Sequence, residues 1–450
     1  MVCKFMSQSA IRHAIVIGGG ASGVLLAHQL LHHPASNFRV TLIETRSEIG
    51  RGLAYHTGNP DHLLNVRAAN MSALPDQPDH FWRWASSQDI AICPDPYCFV
   101  PRRVYGTDIA SLIEPLIESS SQRLTIVQDT CVEVRESASS VEVALATGHR
   151  LTGDIAILAT GHDTGEPGSG AYANPWAPPI GLAKDRAVLI LGTGLTMVDY
   201  VLSLLRDGHR GPIVAMSRRG LLATAHRRVE PMRIDEADVP FGQGSGELFR
   251  WFRRRVDAHV AKGGDWRSVV DAIRPYTQRI WRDLSVPSRR RFLEHARAWW
   301  DIHRHRMAPE VETRIASALA EQKLKIMAAK LVALTPNDGG ALVRYRPRGE
   351  SDISTMQVGA VVDCTGVVKD PRSTANPVVR NLLQEGRARI DPLGIGIDVS
   401  ADCAIIDGNG APSQRLFAVG PLTRAAFWEI IAIPDIRNQC AELAARLARA

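Results

Sequence analysis

His13-Ala14-Ile15-Val16-Ile17-Gly18-Gly19-Gly20-Ala21-Ser22-Gly23 is the stretch whose reading decides the fold. Ala14 to Ile17 is a short unbroken apolar run, the mark of a parallel strand buried on both faces. Gly18, Gly20 and Gly23 follow at G-x-G-x-x-G spacing, and a helix over Val24 to Leu31 is expected next. The first glycine permits a tight strand-to-helix turn, the second lets backbone approach a pyrophosphate, and the third lets helix and strand pack. The helix start offers free N–H groups and partial positive charge to phosphates. A second strand, Phe38 to Ile43, ends in Glu44, about 20 residues past the last glycine, where an acid can hold a ribose hydroxyl. A glycine-rich βαβ unit without a ligand gives no reason for Glu44, so a dinucleotide site is expected here.

A second signature lies downstream. Ala187 to Leu191 reads as the strand, Gly192-Thr193-Gly194-Leu195-Thr196-Met197 as the turn, and Val198 to Leu205 as the helix. Met197 stands where the third glycine would be, which widens helix–strand packing. The next strand, Pro212 to Ser217, runs into Arg218-Arg219. Gly18 to Glu44 and Gly192 to Arg218 both span 26 residues. An acid at that offset suits a 2′-hydroxyl and an arginine suits a 2′-phosphate. The first unit is therefore expected to take FAD and the second NADPH, with NADH possible. Solvated charge at a strand end is the plainer reading of Arg218 and Arg219.

Between these units, Gly50-Arg51-Gly52-Leu53-Ala54-Tyr55 reads as a loop passing close to the cofactor. Phe99 to Gly106 reads as a second loop, placing Arg102 and Arg103 together for an anionic ligand or for carboxylates of the protein. Leu124 to Val134 reads as one strand with Val141 to Leu145 as its hairpin partner. Two similar strands, Asp154 to Gly161 and Val361 to Gly366, serve as boundary marks. They divide the chain into an FAD-binding part at 10–165, an NAD(P)H-binding domain at 166–366, and a return to the FAD domain at 367–450. Residues about 240 to 320 break the βα alternation and are rich in Arg, Trp and His, as a helical insertion in the second domain. That insertion reads as a cap with its Trp residues inward, or as a cover over the flavin edge whose Arg and His side chains select an anionic substrate. Pro434-Asp435-Ile436-Arg437 opens the last helix, with Pro in its first turn.

Composition bounds the alternatives. The chain has 450 residues, 45% hydrophobic and 22% charged, so two or three globular domains are expected. The net charge of +6 comes partly from local clusters such as Arg253-Arg254-Arg255 and Arg289-Arg290-Arg291. Without interleaved aromatics on a continuous basic face, this does not read as nucleic-acid binding. The seven cysteines show no C-x-x-C, which removes a redox pair, and an odd scattered count argues for reduced thiols in a cytoplasmic protein. Met1 to Ala10 lacks the apolar run of a signal peptide. No run of about 18 apolar residues exists, so no membrane span is expected. His303 and His305 are two apart and cannot share a helix face, so no metal site is expected.

Taken together, the glycine motifs, Gly50 to Tyr55, Asn65-Val66, Phe99 to Arg103, Ser217-Arg218-Arg219-Gly220, and Gly420-Pro421-Leu422-Thr423-Arg424 through Arg437 resemble the two-dinucleotide FAD/NAD(P)-binding flavoprotein family. That family groups bacterial FAD-dependent urate hydroxylase with aspartate N-monooxygenase. The resemblance covers nearly the whole chain and implies an α/β fold of two Rossmann-like dinucleotide-binding domains. It implies FAD contacts at Gly18, Gly20, Ser22, Gly23, Glu44, Gly52, Asn65, Val132, Thr160, Gly161, Gly420, Pro434, Asp435 and Ile436. Coenzyme contacts fall at Gly192, Gly194, Thr196, Arg218 and Arg219. Gly420-Pro421 departs from the Gly-Asp that commonly meets the ribityl chain. The implied activity is an NAD(P)H-consuming monooxygenase working through a flavin C4a-hydroperoxide with O2 on a small anionic nitrogen-containing substrate. Urate hydroxylation comes first and N-hydroxylation of an amino acid second. A dehydrogenase or reductase without oxygen insertion, and a nucleotide sensor without turnover, are the other classes. His303, His305 and Arg306 are the candidate catalytic residues, and the oligomeric state stays open.

Overall fold

The computed structural model describes residues 11–88, 95–118, 123–163, 172–177, 181–366 and 370–449. The chain groups into two units, one of Met1–His56, Arg67–Gly165 and Val368–Ala450, the other of Thr57–Val66 and Glu166–Val367. The expected boundaries near 165 and 367 fall outside the described residues. The segment Thr57–Val66 groups with the second unit.

The first unit is built on a six-stranded sheet. Its order is Ala404–Ile406, Pro412–Ala418, Ile155–Leu158, Arg12–Ile17, Phe38–Glu44 and Leu124–Gln128. All neighbours are parallel except the first pair. Ala14, Ile15 and Val16 are fully buried, as are Ile157 and Leu42, which is why these strands read as apolar runs without alternation. The helix Ala21–His32 follows the first strand and packs on the last helix, Ile433–Arg449.

Three local expectations change. Leu124 to Val134 splits into Leu124–Gln128 in the parallel sheet and Cys131–Glu136 in a separate antiparallel sheet with Val141–Leu145 and Arg150–Gly153. Asp129 breaks the run: its N–H bonds Glu44 O and its carboxylate accepts from Thr130 N. The supposed loop at Gly50 to Tyr55 contains a helical turn, Gly52–Tyr55. Phe99 to Gly106 leads into a helix, Arg102–Ser111, that buries Val104, Tyr105, Asp108 and Ile109. Gly106 masks that helix in the sequence. A Cβ there would meet Arg51 Cγ at 3.0 Å and Tyr55 O at 3.1 Å, so only glycine lets the two helical segments touch.

The second unit carries a seven-stranded sheet ordered Ser354–Val358, Gly340–Pro347, Leu324–Asn337, Ile213–Ser217, Val188–Leu191, Ala360–Asp363 and Tyr172–Ala173. The long strand Leu324–Asn337 runs parallel to Ile213–Ser217 over its first residues and then pairs antiparallel with Gly340–Pro347. The stretch from 240 to 320 is helical, with Ser245–Ala261, Trp266–Ala272, Thr277–Asp283, Val286–Arg291, Arg297–Arg304 and Pro309–Ala320 as its α-helices. Its core gathers Ile234, Val239, Val269 and Ile273 with Trp251, Phe252, Tyr276 and Trp300 packed against them. Trp281 turns inward, whereas Trp299 is 46% exposed.

Cysteines 131, 364, 403 and 440 are free and buried. Cys98 is disulfide-bonded, contrary to the expectation of reduced thiols throughout, and its partner lies outside the described residues. Among the described residues no helix is long and apolar enough to cross a membrane.

Under the Gly52–Tyr55 turn lies a buried polar cluster. Tyr55 and Tyr105 meet edge-on with ring centroids 4.9 Å apart. Asp108, on the same helix as Tyr105, is fully buried, with His80 Nδ1 3.7 Å from its Oδ1. Neither Asp108 oxygen has a hydrogen-bond partner among the described residues, nor do Tyr105 Oη or His80 Nδ1. Burial therefore pushes the Asp108 carboxyl up to about 7 and the phenol of Tyr105 well above its usual range. The sign of the linkage follows. Between pH 4 and 7 the folded chain holds a proton at Asp108 that the unfolded chain releases, so this group's stabilising contribution is lost as pH rises through about 7. His28, held down to about 4 by burial, works in the opposite direction. Comparison with Asp108→Asn isolates the carboxyl. The stability of wild type relative to the variant should fall as pH rises from 4 to 7, by up to about 1.4 kcal/mol per pH unit. Denaturant unfolding across that range checks it, and a pH-independent difference would overturn it.

Candidate functional site

In the first unit the glycine loop is shaped by one crossing. Gly18 has φ +107°, and a Cβ on it would lie 2.5 Å from the carbonyl oxygen of Ala159, just beyond the neighbouring strand's end. The chain can pass the end of that strand only as glycine. The Gly18 N–H bonds Ile43 O at 2.8 Å, which ties the loop to the strand that ends in Glu44. Gly20 and Gly52 face each other, since a Cβ on Gly20 would stand 3.3 Å from Gly52 Cα. Thus the segment expected to pass close to the cofactor also passes close to the glycine loop itself. Gly20 caps the Ala21–His32 helix without any side-chain cap, and the amides of Ala21 and Ser22 have no partner among the described residues. An uncapped helix start beside a glycine cradle fits a pyrophosphate.

These parts line one cleft together with Glu44, Thr45, Arg46, Arg51, Tyr55, Thr160, Gly161, His162, Pro421, Ile431, Ile433 and Ile436. Glu44 is already oriented. Its Oε2 accepts from Gly19 N at 2.8 Å, and its Oε1 from Arg46 N at 3.1 Å and from the Thr45 hydroxyl at 3.0 Å. The donor set of carboxylate, glycine cradle and free amides fits an FAD, with Glu44 at the adenosine ribose and the amides of Ala21 and Ser22 at the pyrophosphate.

Of the expected FAD contacts, Gly18, Gly20, Ser22, Glu44, Gly52, Thr160, Gly161 and Ile436 line this cleft. Gly23 instead packs against the Gly18 carbonyl. Val132 sits on the separate antiparallel sheet. Asn65 groups with the second unit, where its carbonyl oxygen accepts from His226 Nε2 at 3.0 Å. The Gly420 N–H donates to Gln439 Oε1 at 2.8 Å and is not free for a ligand; its neighbour Pro421 lines the cleft instead. Pro434 and Asp435 stand in the first turn of the last helix, whose Ile433 and Ile436 reach the cleft. Arg51 and Tyr55 of the segment expected to pass close to the cofactor also line the cleft, and Arg46 and His162 are cleft residues that no motif announced.

The second unit repeats the turn. Gly192 has φ +104°, and its Cβ position lies 2.5 Å from Cys364 O. Gly194 caps the Leu195–Arg206 helix, again with no side-chain cap, and a Cβ on it would meet nothing within 4 Å. Met197 is fully buried. Thr196 lies in the helix's first turn.

Equal sequence offsets do not become equal positions. Ile17 pairs with Ile43, but Leu191 pairs with Met216, so the step between strands is one residue shorter in the second unit. Ser217, not Arg218, is the counterpart of Glu44. Its hydroxyl is 2.9 Å from Thr193 Oγ1, a link from strand end to glycine loop like that of Glu44 to Gly19. Arg218 stands one residue further, exposed and without a partner among the described residues. Arg219 is committed elsewhere: it donates to His295 O at 3.0 Å and lies over the Trp299 ring.

The candidate catalytic residues are tied within the insertion. His303 Nδ1 bonds Trp299 O at 2.7 Å and its ring meets Trp266 edge-on. His305 Nε2 is 3.9 Å from Asp301. Arg306 is 2% exposed and pairs with Asp271. These contacts hold His303 and Arg306 within the helical layer.

Residues 15–163 match the family described as FAD-NAD(P)-binding. This segment is similar to that family, which the chain matches over about a third of its length. No curated protein matches the chain by sequence. Among solved structures, reduced ornithine hydroxylase of Pseudomonas aeruginosa superposes with TM-score 0.64 at 13% identity, over 98% of this chain and 99% of that one. L-Lysine 6-monooxygenase of Pseudomonas syringae gives 0.63 at 14%, over 97% and 99%. Thioredoxin reductase of Lactococcus lactis gives 0.53 at 14%, over 97% and 99%. At these identities the likeness is one of fold: two dinucleotide-binding Rossmann-like domains in one α/β chain.

Two substitutions follow from this geometry. Gly20→Val would drive a branched side chain against Gly52 and into the expected pyrophosphate path, and should yield colourless protein; full flavin stoichiometry in the folded variant would refute the site. Arg218→Ala alone should reduce flavin reduction by NADPH about tenfold while changing the NADH rate little, because a charge-assisted bond is worth roughly 1.5–3 kcal/mol. Stopped-flow reduction with both coenzymes measures this, and Arg219→Ala serves as the comparison with little expected coenzyme selectivity.

Proposed function

We propose that the protein is an FAD-dependent, NADPH-consuming monooxygenase that hydroxylates an amino nitrogen of a small substrate. The observation that carries the reading is the end-to-end superposition on ornithine and lysine N-hydroxylating enzymes, at TM-scores of 0.63 to 0.64 with 97% or more of both chains covered. Urate hydroxylation, implied by resemblance, ranks second because the structures that support the reading act on ornithine and lysine. The reductase reading has the fold likeness to thioredoxin reductase in its favour. Against it, the sequence has no C-x-x-C, and the free cysteines 131, 364, 403 and 440 are buried.

Bound FAD, reduced by the nicotinamide coenzyme, would supply the activation of O2 that no side chain can provide. The chain's part is to bind, orient and exclude water. Glu44 holds the ribose end, and the amides of Ala21 and Ser22 neutralise the pyrophosphate. Pro421, Ile431, Ile433 and Ile436 give the other end of the cleft an apolar wall. A dry wall there protects reactive oxygen chemistry from water. Arg218 attracts the coenzyme's 2′-phosphate. The last helix directs its N-terminal turn, with Ile433 and Ile436, toward the cleft and so favours negative charge there.

The test is NADPH consumption by the flavin-loaded protein with ornithine, lysine, aspartate and urate, with hydroxylated product and peroxide both quantified. One amine should accelerate NADPH oxidation and yield hydroxylamine in near-equal amount. Peroxide equal to NADPH with every compound would refute oxygen insertion, and product from urate alone would replace the amine reading.

A further inference from the structure

The first unit's parallel strands end side by side in a fixed order: Phe38–Glu44, Arg12–Ile17, Ile155–Leu158, Pro412–Ala418. Their carboxyl ends deliver Glu44, then Gly18 and Gly20, then Thr160 to His162, then Pro421 to one cleft. With the adenosine ribose at Glu44 and the pyrophosphate at the glycine loop, the dinucleotide's remaining half must run past His162 toward Pro421. The wall around that half is mostly apolar, formed by Pro421, Ile431, Ile433 and Ile436.

His162 is the exception. It lines the cleft and has no hydrogen-bond partner among the described residues. The carboxylate beside it, Asp163, is engaged by the Thr374 hydroxyl. Burial, with the Arg424 guanidinium adding to it, pushes the imidazole down to about 4, so the ring is neutral at ordinary pH. A neutral imidazole offers one N–H donor and one lone-pair acceptor. A partly buried side chain of this kind has its partner in whatever fills the cleft.

We propose that His162 is a cofactor-contacting residue that hydrogen-bonds the ribityl–isoalloxazine half of FAD. This rests on the cleft being the FAD site, and the order of strand ends assigns the half. The contact orients the flavin and is distinct from the glycine loop's hold on the phosphates.

The experiment compares wild type, His162→Ala and His162→Gln for binding of FAD, by flavin fluorescence on dilution of the loaded protein, and of ADP, by calorimetry on the stripped protein. ADP reaches only the Glu44 and glycine-loop half. His162→Ala should weaken FAD binding about tenfold, the loss of one hydrogen bond in a desolvated site, and leave ADP binding within about twofold. Its bound-flavin absorption bands should move toward those of free FAD. His162→Gln, which restores a donor and an acceptor, should recover most of the affinity and the spectrum. Unchanged FAD binding in His162→Ala overturns the proposal, as does equal weakening of FAD and ADP in both variants. Wild type that binds ADP but no FAD would instead sink the FAD reading itself.

Discussion

The structure depends on one close crossing, made twice. In each unit a glycine follows the first strand and passes the carbonyl just beyond a neighbouring strand's end at a distance no side chain could tolerate: Gly18 over Ala159 and Gly192 over Cys364. Because the chain turns there at positive φ, the next helix begins directly above the sheet's edge with its amides unspent. The anion-binding potential of both units is a by-product of that steric allowance. The remaining site residues only decide which dinucleotide the exposed amides receive.

The two units then diverge through what surrounds the turn. In the first, Gly52 approaches Gly20, the Gly52–Tyr55 turn settles on the Arg102–Ser111 helix, and a cleft with a charged end and an apolar end results. In the second, Gly194 faces open space and Ser217 takes the position that Glu44 holds in the first. A small hydroxyl there removes a carboxylate that would repel a 2′-phosphate, and Arg218 one residue on supplies a cation. The strand end thus carries a pair of residues, Ser217 and Arg218, where the first unit has the single Glu44.

Much of this was legible in the sequence where one residue type has one physical reason. Glycines at strand ends, apolar runs of parallel strands and Glu44 belong to that class. Less legible were features set by distant packing. Gly106 looked like a loop residue because its reason, contact with the Gly52–Tyr55 turn, lies some fifty residues upstream. The bond between the Asn65 carbonyl and His226, some 160 residues apart, likewise had no local signal. Counting residues placed Arg218 opposite Glu44, since counting cannot see a strand register shifted by one. His162 carries no motif at all; only its place just past the end of its strand, and a ring without a hydrogen-bond partner among the described residues, mark it. His303 and Arg306 were singled out by residue type, and their bonds to Trp299 and Asp271 could not be read from the sequence.

The strand order also acts as a ruler. Glu44 and Pro421 follow strands separated by two others in the same sheet. Adjacent strands lie about 4.8 Å apart, so the two ends of the cleft are separated by roughly 14 Å along the sheet edge. A ligand that touches both must lie stretched across the sheet, with its two rings kept apart. A dinucleotide folded ring upon ring would forfeit one end. The sheet thus selects for molecular length as well as for chemical groups, a criterion set by hydrogen-bond spacing in the backbone and indifferent to any single side chain.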